Sequence, residues 1–390
     1  MVPEGWKLTS LKEACNNQLQ TGPFGSQLHS HEYVDEGIPV LMPKDLNDFR
    51  ANIETAAKIT EERGRDLKKH RLQKGDILFS RRGDVARFAL IDEQASNAIC
   101  GTGCLRVRAS DQYYPKYLSY FLQLHQVRKW LEQNSVGQTM PNMNTEILGE
   151  LPLKLATNLK EQKKIAQILS TWDKAITTTE QLLANSQQQK KALMQQLLTG
   201  KKRLLDDNGV RFSGEWKRVE LGQLLDYKQP TPYLVKSTNY SNDFKTPVLT
   251  AGKTFILGYT DETDGVYDVD FPVVIFDDFT TACKFVDFPF KAKSSALKIL
   301  TAKPNVNIKY VFEAMQMLNF IIGGHQRHWI SIFSNLVISL PDKKEQQKIA
   351  AVLTSADQEI ESLEQKIDAL KQEKKALMQQ LLTGKRRVKP

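Results

Sequence analysis

Apolar residues spaced alternately three and four positions apart recur through the last part of the chain. They fall at Ile349, Leu353, Ala356, Ile360, Leu363, Ile367, Leu370, Leu377 and Leu381, and Lys374 occupies the one remaining position of the pattern. This spacing is a heptad seam, which predicts a long helix that packs against another helix. At 1.5 Å per residue, a helix of about 40 residues would extend roughly 60 Å.

The same helical segment occurs earlier in the chain. Residues 161–200 and 345–384 are identical at 22 of 40 positions with a constant offset of 184, and KKALMQQLLTG is unchanged. The seam of the first copy is weaker, because three of its positions are polar: Thr179, Ser186 and Lys190. Gly200 and Gly384 are predicted to end the two helices, because glycine adopts the left-handed cap at little cost.

Two seam lysines indicate how the helices pair. A parallel, in-register pair would place Lys190 opposite Lys374 and bring two ammonium groups together, which is unfavourable. An antiparallel pair places Lys190 opposite Ala356 and Lys374 opposite Trp172, where the ammonium can lie on the indole face. The sequence therefore favours a long antiparallel two-helix coiled coil with pseudo-two-fold symmetry. The alternative is that each helix packs only on its own part of the chain.

The residues before each helix form two blocks with little sequence similarity but the same order of patterns. Each block opens with a tryptophan, Trp6 or Trp216, followed by alternating apolar residues. Each contains a short apolar run that predicts a buried strand, Ile77–Phe79 or Val273–Phe276. Aligning Phe79 with Phe276 also aligns Phe88 with Phe285.

Each block also ends in the same way, with a helix, a glycine-containing turn and an exit strand. The predicted segments are helices 114–134 and 308–321, turns 137–144 and 323–329, and strands 151–155 and 336–340. Mixed strands and helices predict an α/β (mixed α+β) fold. The predicted organisation is a first domain at 1–159, a first helix at 160–203, a second domain at 204–341 and a second helix at 342–388.

Charge and chemistry favour a polyanionic partner and give no catalytic site. The net charge is +9, and residues 160–203 hold nine Lys or Arg against three acids. No phosphate-binding loop, Asn-Pro-Pro-aromatic motif or Gly-rich cofactor turn is present. The four cysteines suggest free thiols in a reducing cytoplasm, and no apolar run reaches the roughly 20 residues that span a membrane. We therefore expect a cytoplasmic, non-catalytic protein without a metal site.

Loop residues supply the candidates for DNA contact. Arg can bind guanine through two hydrogen bonds, and Asn or Gln can bind adenine in the same way, whereas Lys more often meets phosphates. The candidates are Lys44, Lys68, Lys69, Arg71, Arg81, Arg82, Gln138, Thr139, Asn142, Lys253, Thr280, Lys284, Gln326 and Arg327. Asp277 and Asp278 could accept from cytosine, although paired acids on a turn more often cap it.

These features together resemble the specificity subunit of type I restriction–modification enzymes. The features that carry the resemblance are the tryptophan openings, TGPFGS at 21–26, the turn at 137–144, and the paired EQxKIA starts and LLTG ends of the helices. The second block lacks a clear counterpart of TGPFGS. Residues 228–232 lie nearby but do not match it.

The resemblance implies two target-recognition domains, each reading one half of a bipartite, asymmetric sequence in double-stranded DNA. It implies that the helices set the spacer and dock two methyltransferase subunits, and through them motor–nuclease subunits. S-adenosylmethionine, ATP and Mg²⁺ would then belong to the partners. Two alternatives remain: a coiled-coil scaffold with two protein-binding modules, and a self-contained methyltransferase or nuclease.

Overall fold

The computed structural model describes residues 2–25, 27–137, 141–252, 254–318 and 328–388. The chain divides into two compact units. Unit 1 comprises Met1–Thr179 with Lys366–Pro390, and unit 2 comprises Glu180–Gln365. Each unit therefore contains one variable block and parts of both repeated helices.

The strands of the described residues are short, and all of them lie in the two variable blocks. In the first block they are β1 (Trp6–Ser10), β2 (Leu19–Thr21), β3 (Ile38–Leu41), β4 (Leu46–Asn47), β5 (Arg50–Ala51), β6 (Ala57–Ile59), β7 (Ile77–Ser80), β8 (Phe88–Leu90), β9 (Ile99–Cys100), β10 (Cys104–Val107) and β11 (Pro152–Ala156). In the second block they are β12 (Lys217–Glu220), β13 (Leu225–Lys228), β14 (Thr246–Leu249), β15 (Ile256–Thr260), β16 (Val273–Asp277), β17 (Cys283–Val286), β18 (Lys291–Ala292), β19 (Leu297–Ala302) and β20 (Val337–Leu340).

The helices include the two long repeats and several short helices inside the blocks. They are α1 (Leu11–Ala14), α2 (Glu61–Asp66), α3 (Pro115–Leu122), α4 (His125–Asn134), α5 (Thr145–Gly149), α6 (Leu159–Leu197), α7 (Leu221–Leu224), α8 (Ile308–Gln316), α9 (His328–Ser331) and α10 (Lys343–Leu381). None of the helices in the part of the chain that the structure describes has the length and apolarity that crossing a bilayer needs.

The two blocks share one sheet topology despite their unlike sequences. The strand order β2-β10-β7-β8 of the first block recurs as β13-β19-β16-β17 in the second. A smaller sheet, β6-β3-β9, recurs as β15-β14-β18, and the pair β1-β11 recurs as β12-β20. The predicted mixed α/β fold with two similar domains is confirmed.

Strand register makes residues of the two blocks comparable. Phe79 of β7 lies opposite Leu105, and Phe276 of β16 lies opposite Lys298. Phe79 and Phe276 therefore occupy equivalent positions in equivalent strands, which agrees with their predicted match. The accompanying match of Phe88 with Phe285 is wrong, because Phe88 lies opposite Phe79 whereas Phe285 lies opposite Val274.

Several predicted element boundaries also change. The helix predicted over 114–134 is two helices, because Leu124 is extended (φ −64°, ψ 139°) and its side chain is buried in the core. Helix α8 ends at Gln316, and the rest of the helix predicted to residue 321 lies partly outside the described residues. The predicted exit strands exist as β11 and β20, with starts shifted by one residue.

The long helices α6 and α10 pack against each other in antiparallel fashion within each unit. In unit 1, Arg387 binds Glu161 at 2.7 Å (Nε to Oε1) and Lys374 binds Asp173 at 2.5 Å. From the first pair to the second, the residue number rises along α6 and falls along α10, so the two helices run in opposite directions. The apolar seam is buried here, as at Leu169.

Unit 2 repeats this packing with the roles of the two helices exchanged. Arg203 binds Glu345 at 2.6 Å and Lys190 binds Asp357 at 2.6 Å. An offset of 184 converts each of these residues into its counterpart in unit 1. The antiparallel prediction is therefore confirmed within each unit, and the pairs are reciprocal.

The predicted surroundings of the two seam lysines need correction. Lys374 lies over the ring of Tyr120 at 5.6 Å, rather than on Trp172, because Asp173 draws its ammonium toward that side. Lys190 does not rest on Ala356, because its ammonium binds Asp357 and also lies 3.1 Å from Oε2 of the buried Glu313.

The carboxyl of Asp357 is expected to make the stability of unit 2 pH-dependent. Burial alone would raise its pKa, but hydrogen bonds from Lys190 and Lys309 lower the pKa below the ordinary 3.8. A lowered pKa adds stability above about pH 4, and this stability is lost as pH falls through the folded-state pKa. We expect Asp357→Asn to be less stable than the wild type at pH 7, and the two to converge in acid, as measured by urea unfolding. A constant difference at all pH values would contradict this assignment.

The ends of the long helices are fixed in the predicted way. Gly200 and Gly384 both have φ of +72°, the left-handed conformation that glycine adopts without strain. A Cβ on Gly384 would lie 3.0 Å from the Trp6 ring, and one on Gly200 would lie 3.7 Å from the Trp216 ring. Each block therefore packs its opening tryptophan on the end of a long helix.

Candidate nucleic-acid interface

In unit 1, loops from separate parts of the first block meet at one edge of the six-stranded sheet. The edge is set by β7 and β10, because Ser80 at the end of β7 lies opposite Cys104 at the start of β10. We call the loops there the first loop cluster: residues 22–25, 42–45, 81–87, 101–103 and 141–143.

Backbone hydrogen bonds hold the first loop cluster together. The N–H of Arg81 donates to Gly103 at 2.8 Å, and the Arg81 carbonyl accepts from Met143 at 2.8 Å. The N–H of Gly83 donates to Pro141 at 3.1 Å, and Arg82 forms a β-bridge with Asn142. Two loops that the sequence predicted separately, around Arg81 and around Asn142, therefore form one surface.

Close glycine contacts bring TGPF into the same cluster. The N–H of Gly22 donates to the carbonyl of Cys104 at 2.9 Å, and a Cβ on Gly22 would lie 1.9 Å from the Gly101 oxygen. A Cβ on Gly103 would lie 2.9 Å from Pro43. Only residues without a side chain permit this approach. Phe24, in the same segment, is 60% exposed.

Gly22→Ala is expected to destabilise unit 1 by about 1–2 kcal/mol, because backbone must move to admit the methyl group. Gly25→Ala is the matched control, since a Cβ there meets no described atom within 4 Å. The difference between the variants can be measured by thermal unfolding. Equal stability of the two variants would contradict the close packing at Gly22.

The predicted side chains of the first loop cluster differ in exposure. Lys44 and Arg82 are exposed, whereas Arg81 and Asn142 are half-buried. Within the described residues, Nε of Arg81 and Oδ1 of Asn142 are buried without a hydrogen-bond partner. Buried polar atoms are usually paired, so these two are candidates for partners that the chain alone does not supply.

Arg87 extends this positive surface. Its Nη1 donates to the carbonyl of Pro43 at 3.2 Å, which ties Arg87 to the loop that carries Lys44. Asp84 lies near Arg87 and binds Arg128 at 3.3 Å. Arg87 ends the segment 58–87, which holds ten Lys or Arg against five acids, but its contact with the loop of Lys44 depends on the tertiary fold.

A second basic group lies beside the cluster on the β2 and β10 side. Lys68 and Lys69 are exposed, and Arg71 is half-buried with its Nη2 4.0 Å from Glu61. Arg106 donates to the carbonyl of Lys69 at 3.3 Å, and burial together with Arg108 lowers the pKa of Arg106. Arg106 was missed from the sequence, because one arginine within an apolar strand gives no signal of its own.

Cys100 and Cys104 flank the turn 101–103 and are buried. Burial raises the pKa of the Cys100 thiol to about 12. Across the described ranges, no group of three or more His, Cys, Asp or Glu is placed to hold a metal.

In unit 2 the corresponding edge forms the second loop cluster: residues 229–232, 278–281 and 294–296. The register places Gln229 at the position of Thr21, one residue beyond the end of β13. The segment after it is therefore the structural counterpart of GPF, although the sequences do not match. Phe279, at the position of Arg82, is 52% exposed.

The predicted residues of the second block have different surroundings. Thr280 is exposed, and its N–H donates to Oδ1 of Asp277 at 2.8 Å. Asp277 thus caps the turn, as the sequence reasoning allowed. Lys284 lies 5.9 Å from the centre of the Phe255 ring. Other predicted residues lie outside the described residues: Gln138, Thr139, Lys253, Gln326 and Arg327.

Comparisons with known proteins agree on one family. A family model described as the type I restriction modification DNA specificity domain matches residues 3–185 and 213–372. The specificity subunit of the Escherichia coli type I restriction enzyme EcoR124I/EcoR124II is 48% identical over 156 residues, which cover 39% of this chain and 37% of that protein. The putative MjaX specificity subunit of Methanocaldococcus jannaschii is 26% identical over 100% of this chain and 95% of its own length.

Solved structures show the same fold. The type I restriction–modification S subunit from M. genitalium superposes with a TM-score of 0.67 at 16% identity, covering 97% of this chain and 96% of that one. A chain from a study of complex assembly and conformational transition in a type I system superposes with a TM-score of 0.54 at 14% identity, covering 98% of both chains.

Proposed function

Because the chain belongs to the type I restriction modification DNA specificity family, we propose that it reads a bipartite DNA sequence, with one loop cluster on each half. The observation that carries this proposal is the duplicated sheet with unlike loops at the same edge. Arg81 and Arg82 of the first cluster correspond by register to Asp278 and Phe279 of the second. Unlike side chains at equivalent positions favour unlike half-sites.

The first cluster is suited to both kinds of DNA contact. Arg82 is exposed and carries the planar donor group that binds guanine through two hydrogen bonds. Lys44, Lys68 and Lys69 are exposed cations at or beside the same edge and would bind phosphates. Asn142, bridged to Arg82, would present its amide to adenine.

The chemistry is proposed to reside in partners. Two methyltransferase subunits would dock on the repeated helices, and motor–nuclease subunits would join through them. S-adenosylmethionine, ATP and Mg²⁺ would then be bound by those subunits, and the helices would set the distance between the two half-sites. The reciprocal ion pairs at the ends of the repeated helices support this proposal, because they give the helices equivalent packing in the two units, as two identical partner subunits would need.

Mapping of methylated bases in cells with and without the gene tests the proposal. We expect the gene to add methylation at one split motif. Purified chain mixed with methyltransferase subunits should also shift duplex DNA in a gel, and the shift should weaken with salt. Methyl transfer from labelled S-adenosylmethionine by the chain alone would contradict the proposal, and absence of any DNA shift would favour the protein scaffold.

Lys44→Ala is expected to weaken binding of target and unrelated duplexes by the same factor. A lost phosphate contact should reduce the slope of log affinity against log salt by about 0.9. Fluorescence anisotropy of the assembled complex at several salt concentrations measures both quantities. Lys7→Ala is the matched control, because Lys7 lies on β1 in the separate two-stranded sheet. An unchanged slope would remove Lys44 from the phosphate-binding set.

A further inference from the structure

A buried ion pair lies under the second loop cluster. The Lys298 ammonium is 3.5 Å from Oδ2 of Asp278, and the two side chains are 2% and 3% exposed. Lys298 also donates to Oε1 of Gln229 at 3.0 Å and lies 5.6 Å from the centre of the Tyr227 ring. The pair is therefore part of a polar network rather than an isolated contact.

The network joins loops that are far apart in sequence. Gln229 belongs to the counterpart of the TGPF segment, and Asp278 begins the loop of Phe279 and Thr280. Oδ1 of Asp278 accepts the N–H of Trp329 at 2.8 Å, which fixes the start of α9. Trp329 is buried and packs edge-on against Phe276 at 5.4 Å.

The first loop cluster joins equivalent segments by different means. The backbone bond is the same in both clusters: the N–H of Arg81 donates to the carbonyl of Gly103, and at the equivalent positions the N–H of Asp278 donates to the carbonyl of Ala296 at 3.0 Å. In the first cluster the Arg81 carbonyl then holds Met143, whereas in the second the Asp278 side chain holds Trp329. The position of Lys298 is occupied by the apolar Leu105 in the first block.

Burying a charge pair rarely adds stability, because desolvation offsets the attraction. One documented use of buried polar groups is to fix a single arrangement. Here the arrangement surrounds a cavity of about 310 Å³, whose lining includes Gln229, Thr231, Phe279 and Ser295 together with the ion pair. Hydroxyl, amide and aromatic groups therefore face a common space beside the exposed loop.

We propose that the Lys298–Asp278 pair is the positioning element that sets sequence selectivity in the half-site read by the second block. The proposal rests on the proposed function. The pair holds the loops at Gln229 and Phe279, together with the buried Trp329, in one geometry, so that the exposed Gln229 and Phe279 side chains meet only the correct bases. The first block achieves the same order with backbone bonds and does not use a charge pair at this position.

Three variants test the role: Lys298→Met, Asp278→Asn and the double substitution. The double variant removes both charges, so no unpaired buried charge remains, and the amide oxygen introduced by Asp278→Asn can still accept from Trp329. Each is coexpressed with the methyltransferase partner and a plasmid library in which either half-site is randomised. Sequencing of methylated bases then reports the selectivity at each half-site. Lys303→Met is the matched control, because Lys303 follows the opposite end of β19 and is partly exposed.

We expect methylation at sites with one wrong base pair in the second half-site to rise on the order of tenfold relative to the target. Selectivity in the first half-site should not change, and Lys303→Met should match the wild type. Unchanged second-half selectivity in the double variant would overturn the inference. So would complete loss of methylation by a double variant that still copurifies with its partner. Absence of a split motif in the wild type would instead reject the proposed function.

Discussion

Glu313→Ala is expected to lower the free energy of unfolding of unit 2 by about 3–5 kcal/mol, the usual cost of removing one partner from a buried ion pair. Glu313 is fully buried on α8 and lies 2.7 Å from Lys309 and 3.1 Å from Lys190. Both lysines are largely buried, and without Glu313 the carboxylate that still pairs with them among the described residues is Asp357, which is partly exposed. Chemical denaturation, monitored by hydrogen exchange of the α8 amides, measures the loss of unfolding free energy.

Glu364→Ala is the matched control for this substitution. Glu364 is an exposed residue on α10 in the same unit, so the change of charge and volume is identical while burial differs. We expect it to change stability by no more than about 0.5 kcal/mol. If the two variants lost equal stability, the network around Glu313 would have no special structural role.

Arg82→Ala is expected to weaken binding of the target duplex by the assembled complex by about 2–3 kcal/mol, because a two-hydrogen-bond contact with a base is lost. Unlike Lys44→Ala, it should leave binding of unrelated duplexes nearly unchanged, so that discrimination falls. The half-site read by the second block should keep its selectivity. Fluorescence anisotropy with target, half-substituted and unrelated duplexes gives all three quantities.

Lys7→Ala serves again as the control for loss of positive charge in unit 1. Equal weakening of target and unrelated duplexes by Arg82→Ala would assign Arg82 to phosphate binding rather than base reading. Unchanged affinity for every duplex would remove Arg82 from the interface.

The repeated helices could be predicted closely because their evidence is local and occurs twice. The heptad spacing gave their length, Gly200 and Gly384 gave their ends, and the seam lysines gave their relative direction. The partners of those lysines could not be predicted, because Tyr120 and Glu313 come from the blocks and approach only after folding. A heptad pattern describes one helix surface and contains no information about a third element.

The candidate site shows the same limit. Strand patterns located Arg81 and Arg82 just beyond a buried strand, and this position is the edge where the loops meet. The union of that loop with Asn142, and the role of Lys298, depend on the pairing of distant strands. Lys298 looks like an ordinary strand lysine in the sequence, and it is buried because β19 lies between β13 and β16 in the folded sheet.

The exchanged pairs at the helix ends bear on how this gene can change. Arg203 binds Glu345, and Arg387 binds Glu161, so each copy of the helix supplies the partner that the other copy needs. A mutated residue in one copy must therefore still bind its partner in the other copy, which has not changed. Drift at these positions demands paired changes, whereas recombination between the copies would restore the match in one event. The two near-identical segments can thus be expected to evolve together, while the blocks between them are free to diverge.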